Sequence, residues 1–365
     1  MKIIVLSLMI MGLGFSSWAQ EKERPREWSQ ILAAARKEGR VVVTSSPDAT
    51  FRNEIMPKFM ARFGIPIEFL AGRSGEIAAR IKTERAAGVY SVDVFLFGPD
   101  STAKVLYAEK VIDPLKPLLV LPEVVDATKW KKGKLWFIHP EEKYVLRVFN
   151  RTREFFPINA EYVKAAEIVS AKDLLNPKWR GKIVTEDPTS TGRPAAQAEL
   201  FYNQMGEEFF KRLYIDQKLV IARERRQAAD WLARGVYPIC LTCRTEDSDR
   251  LRVEGFKILD VFELSDMRPF INSSPWLLTV ANNAPHPNAA QVFVNWLASK
   301  EGLEIYSRGY SVATLRNDVD ESFLDRRIIP RQGINYVDVD DWNYNATEGE
   351  RIRLRIREIL KQDSR

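Results

Sequence analysis

Two spacings of apolar residues run along the chain, and the changes from one to the other mark its elements. Trp28, Leu32 and Ala35 share one helical face before Gly39, which predicts a helix over 28–39 closed by a glycine stop. Val41, Val42 and Val43 then form a short continuous apolar run, the pattern of a buried strand. Phe51, Ile55, Phe59 and Phe63 recur at steps of four and predict a helix over 48–63. Residues 65–70 and 92–97 read as strands, with a helix over 75–87 capped by Ser74 between them. Strands alternate with helices throughout this third, so the expectation is α/β units around a largely parallel sheet.

From residue 134 to 150 the pattern turns extended, and a second α/β region follows. Its predicted elements are a short helix over 170–175, helices within 191–217, and strands at 183–184, 219–222, 236–241 and 256–259. A strand at 275–280 and one long helix over 288–307, with Val292, Trp296, Leu297 and Leu303 inward, return to the first region. We therefore expect two lobes. Residues 26–142 and 276–365 form the first and 143–275 the second, with crossings near 143–149 and 272–278. In the tail, Ile352, Ile356, Ile359 and Leu360 share a face and predict a final helix with arginines turned to solvent.

The first 19 residues stand apart. Lys2, an apolar run from Ile3 to Phe15, and small residues at Ser17 and Ala19 before Gln20 have the layout of a cleaved secretory signal. The run is shorter than the ~20 apolar residues a spanning helix needs. The mature chain is thus expected to be soluble and exported, to the periplasm in a cell that has one.

With 365 residues, a core of ordinary size needs no disulfide or metal staple. Lys+Arg 55 against Asp+Glu 49 gives a charge of +6, and the two signs alternate instead of massing on one face, so no nucleic-acid partner is expected. Only two His and two Cys are present, which poorly supplies a metal cluster or a His-based hydrolase. Cys240-Leu241-Thr242-Cys243 has redox-motif spacing but ends a predicted strand, leaving either a local disulfide or two unpaired thiols. His286 lies between Pro285 and Pro287 in a rigid turn before the long helix. His139 precedes Pro140 near the first crossing.

Several segments resemble one family, the extracellular solute-binding proteins of ABC importers, in the branch that includes ferric-ion binders. The resemblance rests on Trp28 to Val43, on Ser74-Gly75-Glu76 with Ala87-Gly88 and Val92-Asp93-Val94, on Asp173 to Lys182 followed by Asp187 to Gly192, and on Ala284 to Ala290 running into Phe293 to Leu297. It covers residues 27–320. It implies an α/β, two-lobed type II periplasmic-binding-protein-like fold, each lobe a mostly parallel sheet flanked by helices, with two hinge crossings. It also implies binding without catalysis and no cofactor. The partners it implies are a small solute and an ABC permease with its ATPase, and the chain is expected to act as a monomer.

Ligands of such sheets sit beyond the carboxyl ends of strands, beside helix N-termini that favour negative charge. The candidate ligand-binding residues are therefore Ser45 and Ser46, Arg73 and Ser74, Gly98 and Pro99, the run Thr189, Ser190, Thr191 and Gly192, and Arg244 and Trp276. Arg73 and Arg244 favour an anionic organic solute. Ferric binders of the resembled family carry an adjacent Tyr pair after the strand matching 236–241. This sequence has Thr242-Cys243-Arg244-Thr245-Glu246 there and no Tyr-Tyr pair anywhere. A ferric ion or ferric chelate is thus the second reading and no metal ligand is assigned. An exported Ser hydrolase is a third reading, weakened by the lack of a Gly-x-Ser-x-Gly elbow.

Overall fold

The computed structural model describes residues 16–72, 74–190 and 192–363; the apolar run 3–15, Arg73 and Thr191 lie outside the described residues. The first sheet contains β1 (Val41–Ser45), β2 (Ile67–Ala71), β3 (Val94–Phe97), β4 (Ile112–Asp113), β5 (Trp136–Phe137), β6 (Leu146–Arg147) and the late strand β14 (Leu277–Ala281). Its order is β2-β1-β3-β14-β6-β5, with β4 also paired to β14. The second sheet contains β8 (Phe156–Asn159), β9 (Ile183–Glu186), β10 (Val220–Ala222), β11 (Ile239–Cys240) and β12 (Ile258–Val261), in the order β10-β9-β11-β8-β12.

Both sheets are mixed, which corrects the expectation of mostly parallel ones. Only β2-β1-β3 and β10-β9-β11 run parallel. β14 pairs antiparallel with β3, and β8 antiparallel with β11 and β12. The reason is the path of the chain: β8 and β14 each enter a lobe from the hinge, against the direction of the strands built by local crossovers. A third sheet, β15-β13-β7, is made of β7 (Arg151–Arg153) and β13 (Phe270–Asn272) at the two crossings and β15 (Val337–Asp338) from the tail.

Helices α1 (Ser16–Glu38), α2 (Met56–Phe63) and α3 (Ser74–Ala86) belong to the first region, and α4 (Arg193–Lys211), α5 (Arg225–Ala233) and α6 (Thr245–Val253) to the second. The predicted steps of four hold: Phe51, Ile55, Phe59 and Phe63 are buried in one core with Trp296 and Phe293. The Phe59 ring lies 5.3 Å from Phe293 and 5.2 Å from Trp296. Buried Asp93 joins the pieces of this lobe. Its carboxylate accepts the Val42 N–H at 2.6 Å and the His286 N–H at 2.8 Å, and sits 2.9 Å from His286 Nδ1.

The long helix expected over 288–307 is two helices, α7 (Pro287–Ala298) and α8 (Lys300–Tyr310). Ser299 turns extended between them, and its hydroxyl accepts the Gly302 N–H at 3.1 Å. The tail packs on both cores, with Trp342 in a first-lobe cluster. The helix it ends in, α9 (Gly349–Asp363), buries Ile352, Ile356 and Ile359 in the second core with Phe201, Phe210 and Tyr214. The apolar face follows the helical spacing of the sequence, while its partner is set by tertiary packing. Among the described residues no helix is long and apolar enough to cross a membrane.

Candidate functional site

Strands β9 and β11 run side by side and parallel, so their carboxyl ends open at one place. Each leads into a helix there: β9 through residues 187–192 into α4, and β11 through 241–244 into α6. The starts of two helices thus meet at one place, where a helix dipole favours negative charge.

The first loop is held by its own hydrogen bonds. Asp187 Oδ1 accepts Thr189 N–H at 2.8 Å and Thr189 Oγ1–H at 2.7 Å, while the Asp187 carbonyl accepts Ser190 Oγ–H at 2.6 Å. Both hydroxyl protons are therefore used in shaping the turn. Gly192 has φ +84°, a conformation that favours glycine, and it delivers Arg193 as the first residue of α4.

The second loop carries a disulfide, Cys240–Cys243, with Cα atoms 5.6 Å apart, resolving the alternatives that the sequence left open. The bridge ties the end of β11 to the residue before Arg244. The Arg244 N–H donates to Asp247 Oδ2 at 3.0 Å, which closes the start of α6. Burial lowers the Arg244 pKa, and the neighbouring cations Arg225 and Arg153 lower it further against Glu246 and Asp247.

Hinge strand β7 adds what sequence reading missed. Strand alternation puts Arg151 and Arg153 on one face, and both are buried. Glu154, fully buried, holds three groups: Arg153 Nη2 at 2.9 Å and Arg193 Nη2 at 3.2 Å on Oε1, and Thr245 Oγ1–H at 2.6 Å on Oε2. Burial alone would raise its pKa, but Arg153, Arg193 and Arg151 bring it down to about 2. Arg151 reaches Thr245 Oγ1 at 3.4 Å and Glu246 at 3.7 Å. Burial brings Arg193 down to about 10 despite Glu154, with Arg153 and Arg244 adding to the effect.

Arg151, Arg153, Arg193, Arg225 and Arg244 stand with Glu154, Glu186, Glu246, Asp247 and Asp249, and burial raises the Glu186 pKa, weakening its share of the neutralisation. The Nε atoms of Arg151, Arg153 and Arg193 and the hydroxyl of Thr152 are buried with no hydrogen-bond partner. Unspent buried donors of this kind are costly unless something accepts from them. The only signal in the sequence is the charged alternation Arg151-Thr152-Arg153-Glu154 just beyond the first expected crossing, near 143–149.

The other predicted residues scatter. Ser45 is buried at the end of β1, and its carbonyl accepts the Gly72 N–H at 3.1 Å; Ser46 is exposed beside it. Ser74 begins α3. Gly98 and Pro99 are half-buried after β3, and the Gly98 carbonyl accepts Thr102 Oγ1–H at 2.9 Å. Trp276 packs in the first core, 5.0 Å from Phe149 and 5.1 Å from Tyr306. A hollow of about 570 Å³ on the second lobe, bounded by Lys172, Met205, Phe209 and Arg212, contains none of the predicted residues. Among the described residues no group of three or more His, Cys, Asp and Glu is placed to hold a metal ion.

Two α/β lobes joined by crossing strands, with charge gathered at strand ends, define a solute-binding clamp by class. The chain belongs to the bacterial extracellular solute-binding proteins, whose family model matches residues 54–323. The iron uptake protein A1 of Synechocystis sp. is 25% identical over 200 residues, which is 54% of this chain and 49% of that protein, so the match spans about half of the relative. Iron-bound HitA from Pseudomonas aeruginosa superposes with TM-score 0.66 at 17% identity, over 87% of this chain and 99% of that one. AfuA from Actinobacillus pleuropneumoniae, with fructose-6-phosphate bound, gives 0.62 at 19% identity, over 87% and 97%. At these identities the likeness shows the fold, and it bears out the two-lobed type II periplasmic-binding reading.

Proposed function

We propose that this protein is the exported substrate-binding component of an ABC importer, closing its lobes over a small anionic organic solute and handing it to a membrane permease. The observation that carries this is the arginine cluster at the start of α4 and α6, with the buried, unpartnered Nε atoms of Arg151, Arg153 and Arg193. Such a cluster grips a carboxylate, phosphonate or phosphate through charge-assisted hydrogen bonds. Ser45, Ser46, Gly98 and Pro99 close the site from the first lobe in this reading, and the site performs no reaction.

The location is the periplasm, reached by cleavage after Ala19. Iron is the rival suggested by the names of the relatives. Against it stands Arg244, in the segment where the resembled ferric binders place their Tyr pair, since a guanidinium repels a cation. The test is native mass spectrometry of the protein as purified, with identification of any released small molecule. A released organic anion supports the reading; bound iron overturns it.

A further inference from the structure

The tail touches both lobes in alternation, and most of it lies beyond the family match, which ends at residue 323. Strand β15 pairs with β13 in the hinge sheet, and Asp338 accepts from Arg147 Nη1 at 2.7 Å. The carboxylate of buried Asp340 accepts the Ser273 N–H at the second crossing. Trp342 then inserts among first-lobe rings, 4.7 Å from His139 and 5.3 Å from Tyr107. Two residues on, the Tyr344 hydroxyl donates to Glu199 on α4 of the second lobe at 2.7 Å. In α9, Arg353 meets both sides at once: Nη2 lies 3.0 Å from Asp100 of the first lobe, and Nη1 3.4 Å from Glu199 of the second. Lys104 of the first lobe adds a contact to Glu350 at 3.0 Å.

We propose that residues 336–363 form a strap across the two lobes, and that Arg353 is its clasp, a positioning residue that sets how far the lobes open. This rests on the solute-clamp reading above. The clasp ties the two elements that flank the candidate site: Asp100 follows Pro99, and Glu199 lies on the helix that begins with Arg193. Opening the lobes must break the Arg353 bridge or pull α9 from the second core. Arg353 and Glu199 are both largely buried, so their contact is screened less than an exposed pair, and it is strongest once Glu199, pushed up to about 7, is ionised. A ligand shifts the equilibrium only by its preference for the closed form, so a contact favouring closure raises apparent affinity without touching the solute.

The experiment compares R353A with R355A in the full chain. Arg355 is the control because its charged partners among the described residues are Glu207 of the second lobe, at 2.7 Å, and Glu358 of its own helix, at 3.0 Å. Small-angle scattering of the solute-free proteins reads lobe separation directly, against a radius of gyration of roughly 20 Å for a compact chain of this length. R353A is expected to increase that radius and to speed dissociation of the solute released from the purified protein; R355A is expected to match wild type in both. R353A scattering like wild type, with a thermal transition showing that it is folded, overturns the strap. An open, faster-releasing R353A that still binds the solute upholds it. A protein that binds no solute in any variant overturns the clamp reading instead, and the scattering comparison still decides the strap.

Discussion

Arg153 and Arg193 place their guanidinium groups on the same oxygen of Glu154, at 2.9 and 3.2 Å, although one comes from the hinge strand and the other from the first turn of α4. A fully buried carboxylate thus fixes two cations of the candidate site relative to each other, and its remaining oxygen fixes Thr245 at the start of α6.

Glu154→Gln should therefore be among the costly single changes in the second lobe. Removing one partner leaves buried cations uncompensated, an effect of about 3–5 kcal/mol in urea unfolding. The carboxyl also carries an acid signature. Its pKa is about 2 in the fold against about 4.3 unfolded, so its contribution is present above about pH 4.3 and lost as pH falls toward 2. The Gln variant should lack that part of the acid slope; an unchanged slope would mean that Glu154 is not held as described.

Glu199 should act in the opposite sense. Burial pushes it up to about 7, with the Tyr344 hydroxyl opposing the shift and Asp100 and Glu350 adding to it. A carboxyl raised in the fold binds its proton more tightly there than in the unfolded chain. Its effect is therefore a loss of stability as pH rises from about 4.3 to about 7. Glu199→Gln should flatten the stability profile in that window, measured by thermal unfolding at closely spaced pH values.

Arg244→Ala should weaken binding of the solute without unfolding the protein, because Arg244 is only half-buried and its helix-closing bond is made by the backbone. Loss of one charged hydrogen bond corresponds to about 1.5–3 kcal/mol, roughly 10–150-fold in Kd by calorimetry. Unchanged affinity would remove Arg244 from the site.

Replacing both Cys240 and Cys243 by Ala should cost about 2 kcal/mol, the chain-entropy value for so short a loop. The larger functional effect is expected in affinity, since the bridge holds the segment that presents Arg244 and Thr245. Reduced wild type should behave like the double variant in both measurements.

Gly302→Ala tests the break between α7 and α8. A Cβ there would stand 2.0 Å from the Trp296 carbonyl oxygen, so the backbone must shift. The expected loss is about 1–3 kcal/mol in thermal unfolding. A neutral result would show that the turn at Ser299 is not packed as tightly as this contact requires.

The residues of local meaning were legible. Steps of four in Phe51 to Phe63, the apolar run of β1 and the helical face of Ile352, Ile356 and Ile359 all follow from backbone periodicity, which belongs to the sequence. Illegible features depended on distant partners. Trp276, near the second crossing, reads as a cleft wall or, more readily, a core residue, and its rings of contact, Phe149 and Tyr306, come from distant parts of the chain. Nothing local in the sequence marks Arg151 and Arg153, which gain their meaning only where α4 and α6 converge on them.

By itself, then, the sequence determined the alternation of strands and helices, the apolar faces and the two crossings, because each is written in spacing of a few residues. Only the tertiary structure decided the direction of β8 and β14, the pairing across Cys240 and Cys243, the gathering of arginines around Glu154 and the packing of the tail on both cores. Those depend on groups brought together from far apart in the chain, where burial and charge, not local spacing, set the free energy.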